Sequence, residues 1–448
     1  MRAPRLANYK KWYFMTDSRS AVDAANNPYA STRTGYYALC ILTLVYSINF
    51  IDRQLLSILQ ESIKADLLLS DAQLGLLTGF AFALFYTFAG LPIASLADRS
   101  NRRNIVALSL TVWSGMTAVS GLALNYGQLL AARVGVGIGE AGGSPPSHSM
   151  ISDIFPPEKR ASAIGFYSTG ISIGILFGFL FGGWLNEFFG WRVAFFVVGV
   201  PGVLLAAVLY FTVPEPIRGL TENRASTGDS PSMLSVFKLL LSRPSFILMA
   251  LGAAMNAFAG YSSSNWIASF MIRTHEMPTG ELGSWLALII GVGGAIGVFS
   301  SGVVADKLGK RDKRWYMWVA VCACAISVPF QISMFLVDDA YLALILLIIP
   351  AVLSNAYLGA TIACVHSMVG LKMRAVSSAL LFFILNMIGL GLGPTTVGFV
   401  SDLFSDQHGA DSLRYAMMYI IPSAMALSGV FYILASRYIR DDLAKAPD

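Results

Sequence analysis

Runs of roughly twenty apolar residues, parted by short polar segments, recur along almost the whole chain, and that length matches the hydrocarbon core of a bilayer. Candidate spans fall at roughly 36–58, 72–96, 105–124, 126–151, 161–185, 191–212, 244–271, 282–304, 316–337, 340–365, 376–400 and 415–436. Inside lipid every backbone N–H and C=O must bond within its own segment or across a closed barrel. A barrel would show short alternating segments, so the runs predict helices. Composition agrees: 55% of the 448 residues are hydrophobic, 13% are charged, and the mean hydropathy is +0.63. A soluble domain has no use for so much apolar surface. The expected fold class is an all-α integral membrane protein with twelve transmembrane helices.

Lys and Arg concentrate on the cytoplasmic side of membrane proteins. With both termini placed in the cytoplasm, 25 of the 31 basic residues fall in inside segments, four outside (Lys64, Arg192, Arg273, Arg414) and two, Arg53 and Arg133, within spans. This split predicts cytoplasmic termini in a plasma or inner membrane. It also accounts for the net charge of +5 without a nucleic-acid partner. The polar N-terminal stretch lacks the apolar core of a secretory signal and reads as a mobile cytoplasmic tail.

No metal cluster, Walker loop, dinucleotide fingerprint or nucleophile elbow is visible, which argues against an ATP-driven pump, an enzyme or a bound cofactor. Cys40, Cys322, Cys324 and Cys364 all fall in apolar spans at spacings unlike zinc or redox motifs, and read as small core hydrophobes.

The chain repeats itself. Leu74-Gly75 recurs as Leu282-Gly283, Ala97-Asp98-Arg99 as Ala305-Asp306-Lys307, His148-Ser149-Met150 as His366-Ser367-Met368, and Arg160-Ala161 as Arg374-Ala375. The longest inside segment, 213–243, separates the copies. The expected organisation is a tail 1–35, a six-helix half 36–212, a linker 213–243, a six-helix half 244–440 and a tail 441–448. Repeated halves suit a transporter that rocks one half against the other around a midplane site.

Asp98-Arg99-Ser100-Asn101-Arg102-Arg103 and its copy Gly302-x-x-x-Asp306-Lys307-Leu308-Gly309-Lys310-Arg311 resemble the major facilitator superfamily signature G-x-x-x-D-[RK]-x-G-[RK]-[RK]. The second copy matches in full, and the first has Ala94 and Asn101 where the signature has glycines. Within that superfamily, Ile48 to Arg53 in span 1 and the run Arg133 to Gly142 in span 4 are similar to the spinster-like lipid transporters. The resemblance implies the major facilitator fold, export of lysophospholipids or sphingosine-1-phosphate, and proton coupling. It also implies that the signature loops latch the cytoplasmic side in the outward-open state, with Asp98, Arg99, Arg102, Asp306 and Lys307 as gate residues.

Asp52, Arg53, Arg133 and Glu140 are charges inside membrane-length helices. A charge at that depth is costly unless paired or facing water, so it marks a pathway or a proton relay. Asp52 and Arg133 lie about 9–10 Å below the outer face at 1.5 Å per residue, and Glu140 is two turns further in on the face of Arg133. Either a static bridge fixes helix register, or protonation of Glu140 or Asp52 frees an arginine for an anionic head. His148 and His366 read more as packing or loop residues than as proton carriers. The C-terminal half offers only polar and aromatic candidates for the cavity: Asn265, Trp266, Asn355, Tyr357 and Asn386, beside Ser262–Ser264. Glycines at 170, 174, 178 and 182, at 135, 139 and 143, and at 389, 391 and 393 predict close helix seams, either static or sliding, and Pro145-Pro146 predicts a kink in span 4.

The leading expectation is a secondary transporter of an anionic amphiphile, coupled to protons and needing no more than a monomer. A drug or small organic-anion transporter of the same fold is the alternative, and a non-transporting membrane receptor is the alternative from another class.

Overall fold

The computed structural model describes residues 28–29, 31–219, 233–370 and 373–445, all helix, turn and loop with no strand among them. The expectations for the tail up to residue 27, for 220–232 of the linker and for 446–448 lie outside these residues.

The first part of the chain forms α1 (Thr32–Leu67), α2 (Asp71–Thr78), α3 (Phe80–Arg99), α4 (Arg102–Ser120), α5 (Tyr126–Glu140), α6 (Ser144–Ile154) and α7 (Pro157–Thr212). After the linker come α8 (Met233–Leu241), α9 (Pro244–His275), α10 (Thr279–Leu286), a π-helical turn Ala287–Val292, α11 (Gly293–Gly309), α12 (Trp315–Leu336), α13 (Ala340–Leu353) and α14 (Leu358–Ser367). The chain ends in α15 (Arg374–Ile384), a second π-helical turn Leu385–Leu392, α16 (Gly393–His408) and α17 (Ser412–Ala444).

Eight stretches of the described residues are long and apolar enough to cross a membrane, where the sequence predicts twelve spans. Two of the eight, Pro157–Thr212 and Val376–Ala444, have 56 and 69 residues. At 1.5 Å per residue these would reach ~84 and ~100 Å, far beyond a core of about 30 Å. The first turns back at Gly190, whose φ of 79° and ψ of 165° lie outside the helical region and suit a residue without Cβ. The second is interrupted at Gly409, also at positive φ. The break in span 4 lies at 141–143, just ahead of Pro145 and Pro146. Proline is accommodated in the first turn of a helix, where its missing N–H has no intrahelical partner anyway.

Packing inside each half relies on small residues, since lipid gives apolar side chains no reason to leave it. A Cβ on Gly174 would lie 2.5 Å from Phe50 Cβ and from Ser47 O, and one on Gly178 2.8 Å from Gln54 Cβ, so the glycine stripe of α7 seats α1. Gly135 and Gly139 face Met116 and Trp113 of α4, and Gly389 faces Ala257 of α9. These contacts join helices of the same half, but Gly391 of the predicted set lies against Ala83 and Phe80 of the first half. Other glycines bring the two halves into closer touch: Gly75 against Pro394 and Thr395, and Gly283 against Phe179 and Gly183. The cysteine expectation is corrected in part. Cys324 and Cys364 are buried, but Cys40 and Cys322 lie on the exposed faces of their helices.

The apolar core forks. At the end carrying Asp71 one cluster joins both halves, from Leu55 and Phe179 to Trp266, Leu282 and Val397. Toward the end carrying Asp98 it becomes two: one built almost wholly from the first half around Trp113 and Tyr167, the other from the second half around Phe246 and Tyr432. The halves are therefore packed together at the Asp71 end and apart at the other.

Candidate functional site

Arg133 and Glu140 lie on the buried face of α5, seven residues or about two turns apart. The glycines between them make α5 narrow in two directions. Gly139 meets Trp113 of α4, and a Cβ on Gly137 would stand 3.2 Å from Phe82 O of α3. Asp52 and Arg53 are neighbours on α1 and so point about 100° apart. Asp52 turns into the first half, and Arg53 turns to the surface that faces the second.

The four charges form two ion pairs. Arg133 Nη1 donates to Asp52 Oδ2 at 3.2 Å and to Oδ1 at 3.3 Å, with both side chains almost fully buried. Thr117 Oγ1, 2.8 Å from Asp52 Oδ1, adds a hydroxyl donor. Arg53 donates through Nε and Nη2 to Glu140 Oε2, each at 2.8 Å. Arg53 keeps 17% of its side chain exposed, whereas Glu140 keeps none, so Arg53 is the member of the cluster that reaches open space. Glu140 Oε1 and Arg133 Nε are buried with no hydrogen-bond partner among the described residues. In low dielectric such a carboxylate oxygen and guanidinium N–H are costly unless a further partner meets them.

Aromatic rings surround Arg53. Its guanidinium carbon lies 5.3, 4.9 and 5.1 Å from the ring centroids of Phe50, Phe82 and Tyr86. Arg133 stands 6.0 Å from the same Phe82 ring, which thus lies between the two arginines. These rings favour a cation by their quadrupoles and hold it in place without neutralising it. A cavity of about 60 Å³ opens beside them, lined by Arg53, Ser57, Phe82 and Arg133 from the first half and by Tyr261 and Asn265 from the second. Ser57 Oγ lies 2.8 Å from the carbonyls of both Ser264 and Asn265, and Gln60 Nε2 donates to Asn265 Oδ1 at 2.5 Å.

Of the cavity candidates in the second half, the structure brings Asn265 and Ser264 to this site. Trp266 is buried and donates through Nε1 to Pro394 O at 2.9 Å. Asn355 is exposed, Tyr357 is buried in the separate core of the second half, and Asn386 lies half-buried in the π-helical turn. The sequence reading did not single out Phe82, Tyr86, Thr117, Ser57 or Gln60. The glycine at 137, midway between two charges on one helix face, was the available sign that a bulky group packs there.

Among the described side chains, the predicted gate residues do not pair with one another. Asp98 and Arg99 are exposed, and the side chain of Asp306 lies outside the described residues. Arg102 is buried and pairs with Asp153 at 2.5 Å and Glu215 at 2.8 Å, and it also donates to Pro216 O. Arg218 donates to the carbonyls of Ala97, Asp98 and Ser100. The opening of the linker thus covers the first signature loop within its own half. Beside the second loop, Asp312 accepts from Arg314 N–H at 3.0 Å and from Arg440 at 2.6 Å, and these contacts hold its carboxyl below the ordinary carboxylate range.

At the opposite end ionic contacts of Arg273 cross between halves. Arg273, expected as a loop charge, sits mostly buried in the last turn of α9 and binds Glu61 and Asp71 at 2.6–2.8 Å. Lys64 and Ser401 also bind Asp71, at 2.5 and 2.6 Å. Asp402 accepts the N–H groups of Asp71 and Ala72 at 3.0 and 2.8 Å, satisfying free donors at the start of α2.

A family model described as Major Facilitator Superfamily matches residues 42–394. An MFS-type efflux pump of Mycolicibacterium smegmatis is 33% identical over 437 residues, covering 96% of this chain and all of that protein. Protein spinster homolog 3 of Danio rerio is 27% identical over 444 residues, covering 92% and 87% of the two chains. Among solved structures, a bacterial homolog of the human lysosomal transporter Spinster, in an inward-facing and unoccupied conformation, superposes with a TM-score of 0.81 at 32% identity, covering 93% and 98%. The paired charges in a helical bundle, the forked core and these likenesses agree: the chain belongs to the major facilitator superfamily of membrane transporters.

Proposed function

We propose that this protein is a secondary transporter that moves an anionic amphiphile, of lysophospholipid or sphingosine-1-phosphate type, by alternating access coupled to protons. Its twelve spans form two six-helix halves, 36–212 and 244–440, with both termini in the cytoplasm. The end where the halves part is then the cytoplasmic one, and the form described is inward-facing. The observation that carries the reading is the Arg53–Glu140 bridge at the cavity wall, with the second oxygen of Glu140 unpaired. Protonating Glu140 removes the charge that neutralises Arg53 and leaves the guanidinium caged by rings beside the cavity. A guanidinium so placed binds a phosphate or carboxylate bidentately. Phe50, Phe82 and Tyr261 supply apolar surface for the rest of an amphiphile. The cavity of about 60 Å³ is below the ~300 Å³ of typical small-molecule sites, so substrate binding requires the halves to part further.

The test is flux of a labelled lysophospholipid into proteoliposomes, with and without a pH gradient, for the wild type and Glu140→Gln. Gradient-dependent flux that the variant loses is the expected result. Equal pH dependence in the two proteins would remove Glu140 as the coupling acid. The likeness to an efflux pump supports a second reading, export of drugs or small organic anions. Flux of an apolar cationic or anionic dye with none of the lysolipid would favour it.

A further inference from the structure

The long second span is broken at Gly79, where φ is −103° and ψ is −97°, and α3 starts on the other side of the break. In an unbroken helix the N–H of Phe80 would bond to the carbonyl of Leu76. Here it donates to Thr395 Oγ1, at 3.1 Å, and Thr395 belongs to α16 in the opposite half. The same hydroxyl lies 3.0 Å from Gly75 O and 2.8 Å from Gly391 O. There is no room for a side chain at the break: a Cβ on Gly79 would sit 2.7 Å from Thr395 Oγ1 and 2.8 Å from both carbonyls. One turn on, Ala83 N–H returns to Gly79 O at 2.9 Å, so the first turn of α3 is set by the break. Phe82, whose ring lies between Arg53 and Arg133, is in that turn.

We propose that Thr395 is a positioning residue for the charged site: reaching across from the second half, its hydroxyl holds the helix break at Gly79, and the break holds Phe82 against both arginines. The seam between the halves and the charged cluster are then parts of one device. When the halves separate at this end, Thr395 withdraws, Phe80 N–H recovers its helical acceptor, and the first turn of α3 rotates Phe82 away from the guanidinium groups. The placement of Phe82 stands on the contacts above, and only its link to opening rests on the alternating-access reading.

The experiment compares Thr395→Val, which keeps shape and removes the hydroxyl, with Thr395→Ser, which restores it. Hydrogen exchange in the full-length protein reads the segment 79–83 against 170–182, the helix seam inside the first half. The expected result is exchange about five-fold faster at 79–83 in Thr395→Val, the value for one net hydrogen bond, reversed in Thr395→Ser, with 170–182 unchanged. Unchanged exchange at 79–83, or equal acceleration in both segments, would overturn the proposal. A second reading uses spin labels at the exposed positions 124 and 338, on the two halves at the closed end, with the exposed Cys40 and Cys322 replaced by serine. Thr395→Val should lengthen this distance in about five-fold more molecules. If the wild type holds one distance with and without substrate, alternating access fails, while the exchange result still decides the role of Thr395.

Discussion

The two places where the halves come closest begin with the same pair of residues and finish differently. Gly75 brings α2 against α16, where a Cβ would be 2.6 Å from Pro394 O, and Gly283 brings α10 against α7, where it would be 2.4 Å from Phe179 O. At both, the start of the approaching helix is met by a carboxylate from the opposite half. Asp402 takes the N–H groups of Asp71 and Ala72, and Glu187 takes that of Gly280 at 2.7 Å. One turn later they diverge. Gly79 breaks the first helix, and Ala287, at the same offset of 208, begins a π-helical turn that keeps the second continuous. The first seam also carries Arg273, Lys64, Glu61 and Ser401 around Asp71, whereas the second is bridged by neutral contacts such as Asn186 and Gly183 O with Thr279 and Trp184 Nε1 with Ser284. A repeated pair of residues thus specifies close approach twice, and the residues around it make one seam an ionic lock and the other a plain packing joint.

The sharpest way to break this comparison is Arg273→Ala. It leaves Glu61 and a buried Asp71 short of a partner across the first seam, a loss of roughly 3–5 kcal/mol when such a pair stays buried and less once opening lets water in. The label distance between 124 and 338 should shift to longer values far more than in any variant of the second seam. An unchanged distribution would show that the ionic lock does not hold the end closed. Next in size come Gly75→Val and Gly283→Val. Each forces backbone apart, at a cost of about 1–3 kcal/mol, and equal shifts in that distance are expected if the two seams carry closure alike. A smaller pair is Asp402→Asn and Glu187→Gln. Asp402 serves two N–H groups and Glu187, which is exposed, serves one, so thermal unfolding should show about 1 kcal/mol for the first and a few tenths for the second. Least of all in effect on closure should be Gly174→Ala. Its Cβ meets Phe50 and Ser47 inside one half, so it should lower Tm while leaving the 124–338 distance where it is in the wild type.

The apolar runs, the doubled landmarks and the two signature loops were enough to read a helical membrane transporter of this superfamily. Counting from helix ends put Asp52 and Arg133 at one depth, and the structure has them 3.2 Å apart. The partner of Arg53 was not legible, because Glu140 reaches it only once three glycines have thinned α5 and α3 has brought Phe82 between the arginines. Arg102 was read with its own loop, and it went instead to Asp153 and to Glu215, which is more than a hundred residues away. Arg273 falls in a loop by sequence alone, since an arginine at the edge of an apolar run gives no sign of facing two acids from the other half.

Local chemistry settled the membrane class and the helical state, because each depends on residues close in sequence: run length against bilayer thickness and backbone bonding without water. The break at Gly79 and the closure of one end arose only when the halves met. Each of these needs atoms from segments two or three hundred residues apart, and it is tertiary packing that brings a threonine hydroxyl of one half to a free backbone N–H of the other.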